Sequence, residues 1–186
     1  MIGLSALWLP ILVSAILVFV ASSVIHMLSP WHKSDYPKMP REQEFLDSLR
    51  PLSIPPGDYM VPRPSTRADL GTPEFKAKVE RGPVMVVTVL PNGPMSMGRN
   101  LGQWFVYLLF VGYFAAYVGS RTLPAGTGYP RVFQIVGATA FIGYAAALWQ
   151  MSIWYRRSWM TTIKATVDGF IYACLTAGTF GWLWPK

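Results

Sequence analysis

The sequence predicts an all-α membrane protein with four transmembrane helices and a small proline-rich α+β insertion between the first and second helices. The chain of 186 residues is 52% hydrophobic and only 13% charged, whereas a typical soluble domain has about 25% charged residues. Four apolar segments each provide the roughly 20 helical residues that cross the hydrocarbon layer of a bilayer. One polar, proline-rich stretch separates the first segment from the other three.

The first predicted transmembrane helix lies within residues 1–27, where the chain has no charged residue from Leu4 to Met27. No basic residue precedes this run, whereas Lys33 and Lys38 follow it. A cleaved signal peptide has the opposite arrangement, so we expect a retained helix. Pro10 lies in the first turns, where its missing N–H has the least effect.

Residues 28–100 form the predicted insertion. It is expected to contain three short elements: helices near 40–49 and 73–81 and a strand near 84–90. The second helix has the clearest signals, since Thr72 can cap it, Pro73 suits its first position and Gly82 can end it. Because the insertion has few apolar side chains, it can bury only a small core. We therefore expect it to pack against a membrane surface or another subunit. Disorder is the alternative, because the stretch is rich in proline.

The remaining three spans are predicted within residues 101–186, over 101–120, 132–154 and 165–184. In each span small residues recur at a spacing of four, which places them on one helix face and lets a neighbouring backbone approach closely. The predicted packing and interaction residues are Gly112 and Ala116 in the second span, Gly143 and Ala147 in the third, and Gly169, Ala173, Ala177 and Gly181 in the fourth. The sequence leaves open whether these faces contact one another or another protein.

Basic residues near the predicted helix ends indicate the orientation. On the side of the insertion these are Lys33, Lys38, Arg41, Arg99, Arg156, Arg157 and Lys164, and on the other side they are Arg121, Arg131 and Lys186. Lys and Arg are enriched in cytoplasmic loops, so residues 28–100 are predicted to be cytoplasmic and both termini periplasmic, in a bacterial inner membrane. The net charge of +7 is scattered along the chain, which argues against nucleic-acid binding.

Asp168 is a candidate ion or proton site, because a carboxylate within a membrane segment is energetically costly and is often functional. It lies four residues after Lys164, near the start of the last span. The alternative is an interfacial ion pair with Lys164, or a contact with Arg156 or Arg157.

The two histidines, His26 and His32, lie at the end of the first span in the sequence SSVIHMLSPWH. A small residue four positions before His26, with Pro-Trp following, resembles the segment by which light-harvesting antenna polypeptides bind the magnesium of a chlorophyll. The resemblance is confined to this segment and implies that His26 ligates a chlorophyll-type pigment. Alternatively, both histidines lie at headgroup level and bind nothing. No facing span supplies a partner for a two-histidine haem site.

The chain has no Gly-x-Ser-x-Gly, His-Glu-x-x-His or phosphate-binding loop, so we predict no catalytic residue, no metal site and no enzyme activity. The leading hypothesis is an accessory subunit of a larger inner-membrane assembly, first of all a photosynthetic or respiratory electron-transport complex. Its expected partners are other integral membrane subunits and the lipid bilayer. The alternatives are a small proton-coupled transporter or membrane enzyme using Asp168, and a pigment- or haem-binding subunit using His26. No cofactor is firmly predicted, and the candidates are a chlorophyll-type pigment or a lipid at the interface.

Overall fold

The computed structural model describes residues 2–186 and is mainly helical. The chain divides into two compact units. A helical unit comprises Met1–Pro37 and Ser96–Lys186, and an insertion unit comprises Lys38–Met95.

The helical unit contains five α-helices: α1 (Trp8–Ser23), α4 (Met97–Thr122), α5 (Tyr129–Tyr144), α6 (Trp149–Tyr155) and α7 (Trp159–Trp182). Three helical segments are long and apolar enough to cross a membrane, namely Leu4–Leu28, Met97–Thr122 and Tyr129–Tyr155. Helix α7 has 24 residues but is not among them, because Lys164, Asp168 and several threonines reduce its hydropathy. The chain therefore has the helices of a membrane protein, whereas the prediction of four spans is not confirmed.

The four long helices contact one another in a ring, in which α1 packs on α4, α4 on α5, α5 on α7, and α7 on α1. Fully buried apolar side chains from every helix or its flanking turn fill the centre, including Leu7, Val18, Leu108, Val132, Val136 and Phe180. At one end, Trp184 Nε1 donates to Pro124 O, and Gly126 N donates to Pro185 O. The C-terminus therefore lies beside the loop between α4 and α5.

Small residues allow close helix contacts within this ring. A Cβ atom added to Gly169 would lie 2.8 Å from Ala145 Cβ, and one added to Gly137 would lie 3.1 Å from Ala177 Cβ. An equivalent atom at Gly181 would lie 2.6 Å from the ring of Tyr129. These distances are shorter than van der Waals contact, so α5 and α7 could not approach as closely with larger residues at these positions.

The other predicted packing residues have different surroundings. Gly112 lies against Ile11 of α1, and Gly143 lies against Val111 of α4. Ala116, Ala173 and Ala177 are buried, whereas Ala147 is exposed. The small-residue faces of α4, α5 and α7 are thus used largely for contacts within the chain.

The third predicted span is interrupted. Helix α5 ends at Tyr144, a 3₁₀ turn covers Ala146–Leu148, and α6 follows. The Gly143 carbonyl, which a continuous helix would bond to a later N–H, instead accepts a hydrogen bond from Tyr107 Oη at 2.5 Å. The break explains why Ala147 does not share a face with Gly143.

The insertion unit contains α2 (Glu42–Leu49), β1 (Gly57–Val61), α3 (Pro73–Arg81) and β2 (Met85–Val89). The strands pair antiparallel with Gly57 opposite Val89 and Val61 opposite Met85. Thr72 Oγ1 accepts from Phe75 N and caps α3. No residue of Lys38–Met95 is buried, so the unit lacks a closed core.

Candidate functional site

The end of α1 widens into a π-helical turn, Val24–Leu28, which contains His26. Such turns occur frequently at functional sites. Ser29 Oγ then donates to Ile25 O at 2.7 Å and accepts from Trp31 N at 3.2 Å. Lys33 N donates to Pro30 O and Asp35 N donates to His32 O. These local bonds form a compact turn that presents His32 and Asp35 on the same side.

Five ionisable side chains meet between this turn and the first half of α7, and we call them the polar cluster: His26, His32, Asp35, Lys164 and Asp168. His32 Nδ1 lies 2.7 Å from Asp35 Oδ2, and His32 Nε2 lies 2.8 Å from Asp168 Oδ2. Lys164 Nζ donates to Asp35 Oδ1 at 3.0 Å. His32 therefore bridges two carboxylates that are distant in the sequence.

Lys164 is held by more than its ion pair. Its Nζ also donates to Trp31 O at 2.7 Å and to Ser34 Oγ at 2.8 Å. Its side chain is only 9% exposed, and those of Asp35 and Asp168 are 7% and 6% exposed. Buried charges need both ionic and hydrogen-bond partners. These contacts therefore offset the free-energy cost of burying the charged side chains of the polar cluster.

Asp35 lies in the turn beyond the apolar helix. Burial, the largest single contribution, raises the pKa of Asp35, but hydrogen bonds from His32 and Lys164, together with their positive charges, lower this pKa below its usual value. The Asp35 carboxylate is therefore ionised at neutral pH and accepts from both partners.

A cavity of about 280 Å³ lies beside the polar cluster. Its wall includes His26, Asp168 and three tyrosines, Tyr107, Tyr144 and Tyr172. Tyr172 is 4% exposed, and its hydroxyl has no hydrogen-bond partner among the described residues. A buried hydroxyl without a partner costs about 1–3 kcal/mol, so a polar group in this cavity would stabilise it.

A second, more open groove of about 660 Å³ lies on the other side of Asp168. It is lined mainly by apolar side chains, with Trp31 and Lys164 at its polar edge. Lys164 Nζ lies 5.7 Å from the centre of the Trp31 ring. An exposed apolar groove of this kind suits an interfacial lipid.

The candidate residues from the sequence have unequal surroundings. Asp168 contacts His32, and neither Lys164 nor an arginine pairs with it among the described residues. His26 is exposed, and its ring lies 4.3 Å from that of His32. No hydrogen bond to His26 occurs in the described part of the chain. The structure thus brings Asp168 together with both histidines.

Sequence reasoning missed Asp35, and it treated Lys164 as a candidate partner of Asp168 and as a basic residue near a helix end. The signal was present in the spacing, because His32 and Asp35 are three residues apart, while Lys164 and Asp168 are four apart on α7. Each segment therefore presents one basic and one acidic side chain on the same side. Tyr172, four residues further on, extends that face.

Comparisons with protein-family models, with curated proteins and with solved structures find no match. A function for this chain must therefore be argued from its own residues.

Proposed function

We propose that this protein is a non-catalytic accessory subunit of a larger bacterial inner-membrane assembly, with photosynthetic or respiratory energy-converting complexes as the first candidates. The observation that carries the proposal is an uncovered apolar groove in the insertion unit. This groove has a volume of about 370 Å³ and lies between α2 and the two-stranded sheet. Its walls are Phe45, Leu49, Leu52, Ile54, Tyr59, Val61, Met85, Val87 and Val89.

The groove favours a protein partner for two reasons. A two-stranded sheet is marginally stable in water unless its apolar face packs against something, and this unit buries none of its own residues. Lys38–Met95 also contains eight basic and seven acidic residues, whereas segments that bind anionic lipid headgroups have a clear basic excess. An apolar groove in a nearly neutral unit suits another subunit better than it suits a lipid surface.

Within the membrane, the small-residue faces are already used between α4, α5, α7 and α1. The outward face of α4 instead exposes a row of aromatic side chains, Phe110, Tyr113, Phe114 and Tyr117. We propose that partner subunits contact this face, while the small residues hold the ring of helices together.

We further propose that α7 crosses the inner membrane as a fourth span, with residues 28–100 in the cytoplasm and both termini in the periplasm. Helix α7 packs on both α5 and α1, and its charged residues Lys164 and Asp168 are paired with the turn after α1. Such pairing lowers the cost of placing these charges near a bilayer. An alkaline phosphatase fusion at the C-terminus should be active, and an inactive fusion would contradict this orientation.

The experiment that tests the subunit proposal compares two substitutions on one strand. Val87 lies in the groove, whereas Val86, next to it, points to the opposite face. The tagged chain is extracted from native membranes in mild detergent, separated by native electrophoresis and analysed by mass spectrometry. We expect stoichiometric partners with the unaltered chain and with Val86→Glu, and loss of partners with Val87→Glu.

Migration of the unaltered chain without partners would overturn the subunit proposal. Equal partner recovery with both variants would show that the groove is not the docking surface. Limited proteolysis of both variants separates loss of docking from unfolding of the unit.

A second function is favoured by the burial of Asp168 in the wall of a cavity that three tyrosines also line. This arrangement also suits a small proton-coupled transporter or a membrane enzyme. Asp168→Asn should leave an accessory subunit assembled but should abolish proton coupling. Pigment or haem binding through His26 is a third candidate function.

A further inference from the structure

We propose that His26, His32 and Asp168 bind a divalent first-row transition metal ion, with Zn²⁺ as the first candidate. Each of the three residues offers one ligand atom, and these atoms all lie within 4.8 Å of one another. Ligand atoms about 2.0–2.2 Å from a tetrahedral zinc ion are roughly 3.3–3.6 Å apart. Small side-chain rotations therefore bring the three atoms to coordinating distance.

The two contacts of His32 require a cation between its ring and Asp168. If Nδ1 donates its hydrogen to Asp35 Oδ2, at 2.7 Å, a neutral ring presents a lone pair at Nε2. That nitrogen lies 2.8 Å from an oxygen of Asp168. Two lone pairs repel at this distance, so a proton lies between them in the ion-free chain. A metal ion replaces that proton once the two atoms separate to coordinating distance.

His26 supplies the third ligand of the proposed site. Its ring lies 4.3 Å from that of His32, yet it makes no hydrogen bond within the described residues. A metal ion held by His32 and Asp168 takes the His26 imidazole as its third ligand. Two imidazoles and one carboxylate suit zinc and related divalent ions.

Asp35 and Lys164 supply the outer partners that such a site needs. Metal-binding histidines usually donate their second ring N–H to a carboxylate, which fixes the ring orientation. Asp35 occupies this position on His32, and Lys164 holds the other Asp35 oxygen at 3.0 Å. His32 is therefore oriented with Nε2 directed at Asp168 before any ion binds.

Three protein ligands leave one coordination position for water or a small anion, as in catalytic zinc sites. The cavity of about 280 Å³ adjoins both His26 and Asp168, and Tyr172 forms part of its wall. The Tyr172 hydroxyl is buried and has no partner in the described chain. A buried donor of this kind is expected beside a water or anion that the ion holds.

The test uses the full-length chain, purified in detergent with a tag that contains no histidine, depleted of metal and then loaded with Zn²⁺ or Co²⁺. We expect one Zn²⁺ per chain by elemental analysis and visible d–d absorption from four-coordinate Co²⁺. His26→Ala removes a ligand without removing a hydrogen bond, so the protein should fold and its affinity should fall at least about 100-fold. Asp35→Asn should lower affinity about 10- to 100-fold, the usual effect of losing an outer partner.

Asp47→Asn is the matched control, because Asp47 is an exposed acid on α2 and should leave metal affinity unchanged. Absence of stoichiometric metal from monodisperse protein would overturn the proposal. Undiminished affinity in His26→Ala would also overturn it, even if Asp168→Asn fails to fold. The result is independent of whether the chain copurifies with partner subunits.

Discussion

Gly169→Ala provides a direct test of the close contact between α5 and α7. The added methyl would lie 2.8 Å from Ala145 Cβ and 3.4 Å from the Tyr144 carbonyl carbon. Neither neighbour is the mobile end of a long side chain, so the helices would have to separate. Overpacking of this kind costs about 1–3 kcal/mol.

Gly178→Ala on the same helix is the control. Its added Cβ would meet only the Tyr129 hydroxyl, at 3.4 Å, which is close to an ordinary contact. Both substitutions gain the same helix propensity, about 1 kcal/mol. The difference in unfolding free energy between the two variants therefore reports only the steric cost of the added methyl group. Gly169→Ala should be less stable than Gly178→Ala by about 1–3 kcal/mol.

The assay is thermal unfolding of both variants in the same detergent, followed by circular dichroism. For a chain of this size, each kcal/mol shifts the midpoint by about 2–4 °C. Equal midpoints for Gly169→Ala and Gly178→Ala would refute the close packing of α7 on Tyr144 and Ala145.

Two further predictions concern the polar cluster. Lys164→Met should destabilise the protein by about 3–5 kcal/mol, because it leaves Asp35 buried with one cation fewer, and the double variant with Asp35→Asn should recover part of this loss in unfolding experiments. The second prediction concerns pH, because the pKa of Asp35 is lowered in the folded protein. The Asp35 carboxylate therefore stabilises the fold fully above about pH 4, the ordinary pKa of aspartate. This stabilisation is lost as the pH falls through the lowered pKa of the folded protein. The free energy of unfolding should therefore fall less steeply at acid pH in Asp35→Asn than in the unaltered chain. Identical pH profiles for the two proteins would contradict a stabilising role of the Asp35 carboxylate.

The polar cluster also explains why a charged helix can lie in an otherwise apolar ring. Lys164 and Asp168 are spaced to pair with each other, yet each pairs instead with the turn after α1. These contacts join segments more than one hundred residues apart. They connect the end of α1 to the first half of α7.

Local sequence signals predicted several elements closely. Thr72, Pro73 and Gly82 mark the limits of α3 (Pro73–Arg81), because capping and backbone preferences act over a few neighbouring residues. The strand expected near 84–90 is observed as Met85–Val89. The break after Tyr144 was not predicted, because residues 132–154 contain no charged residue and no proline, and the partner of the freed carbonyl, Tyr107, belongs to another helix.

The candidate site was only partly predictable for the same reason. Burial cost identified Asp168, and the resemblance of its segment to light-harvesting antenna polypeptides identified His26. The contact of Asp168 with His32 spans 136 residues of sequence, and no local pattern specifies which helix ends meet. Asp35 therefore gained its significance only from the folded chain.

By itself the sequence determined the class of protein and its local elements, since hydropathy, capping and turn residues act through bilayer thickness and short-range backbone geometry. Tertiary structure alone decided that the small-residue faces pack against neighbouring helices of the same chain. It also decided that His26, His32 and Asp168 converge and that Lys164 binds Asp35. Those outcomes depend on which helices are neighbours, and neighbours are selected by the packing and pairing of the whole chain.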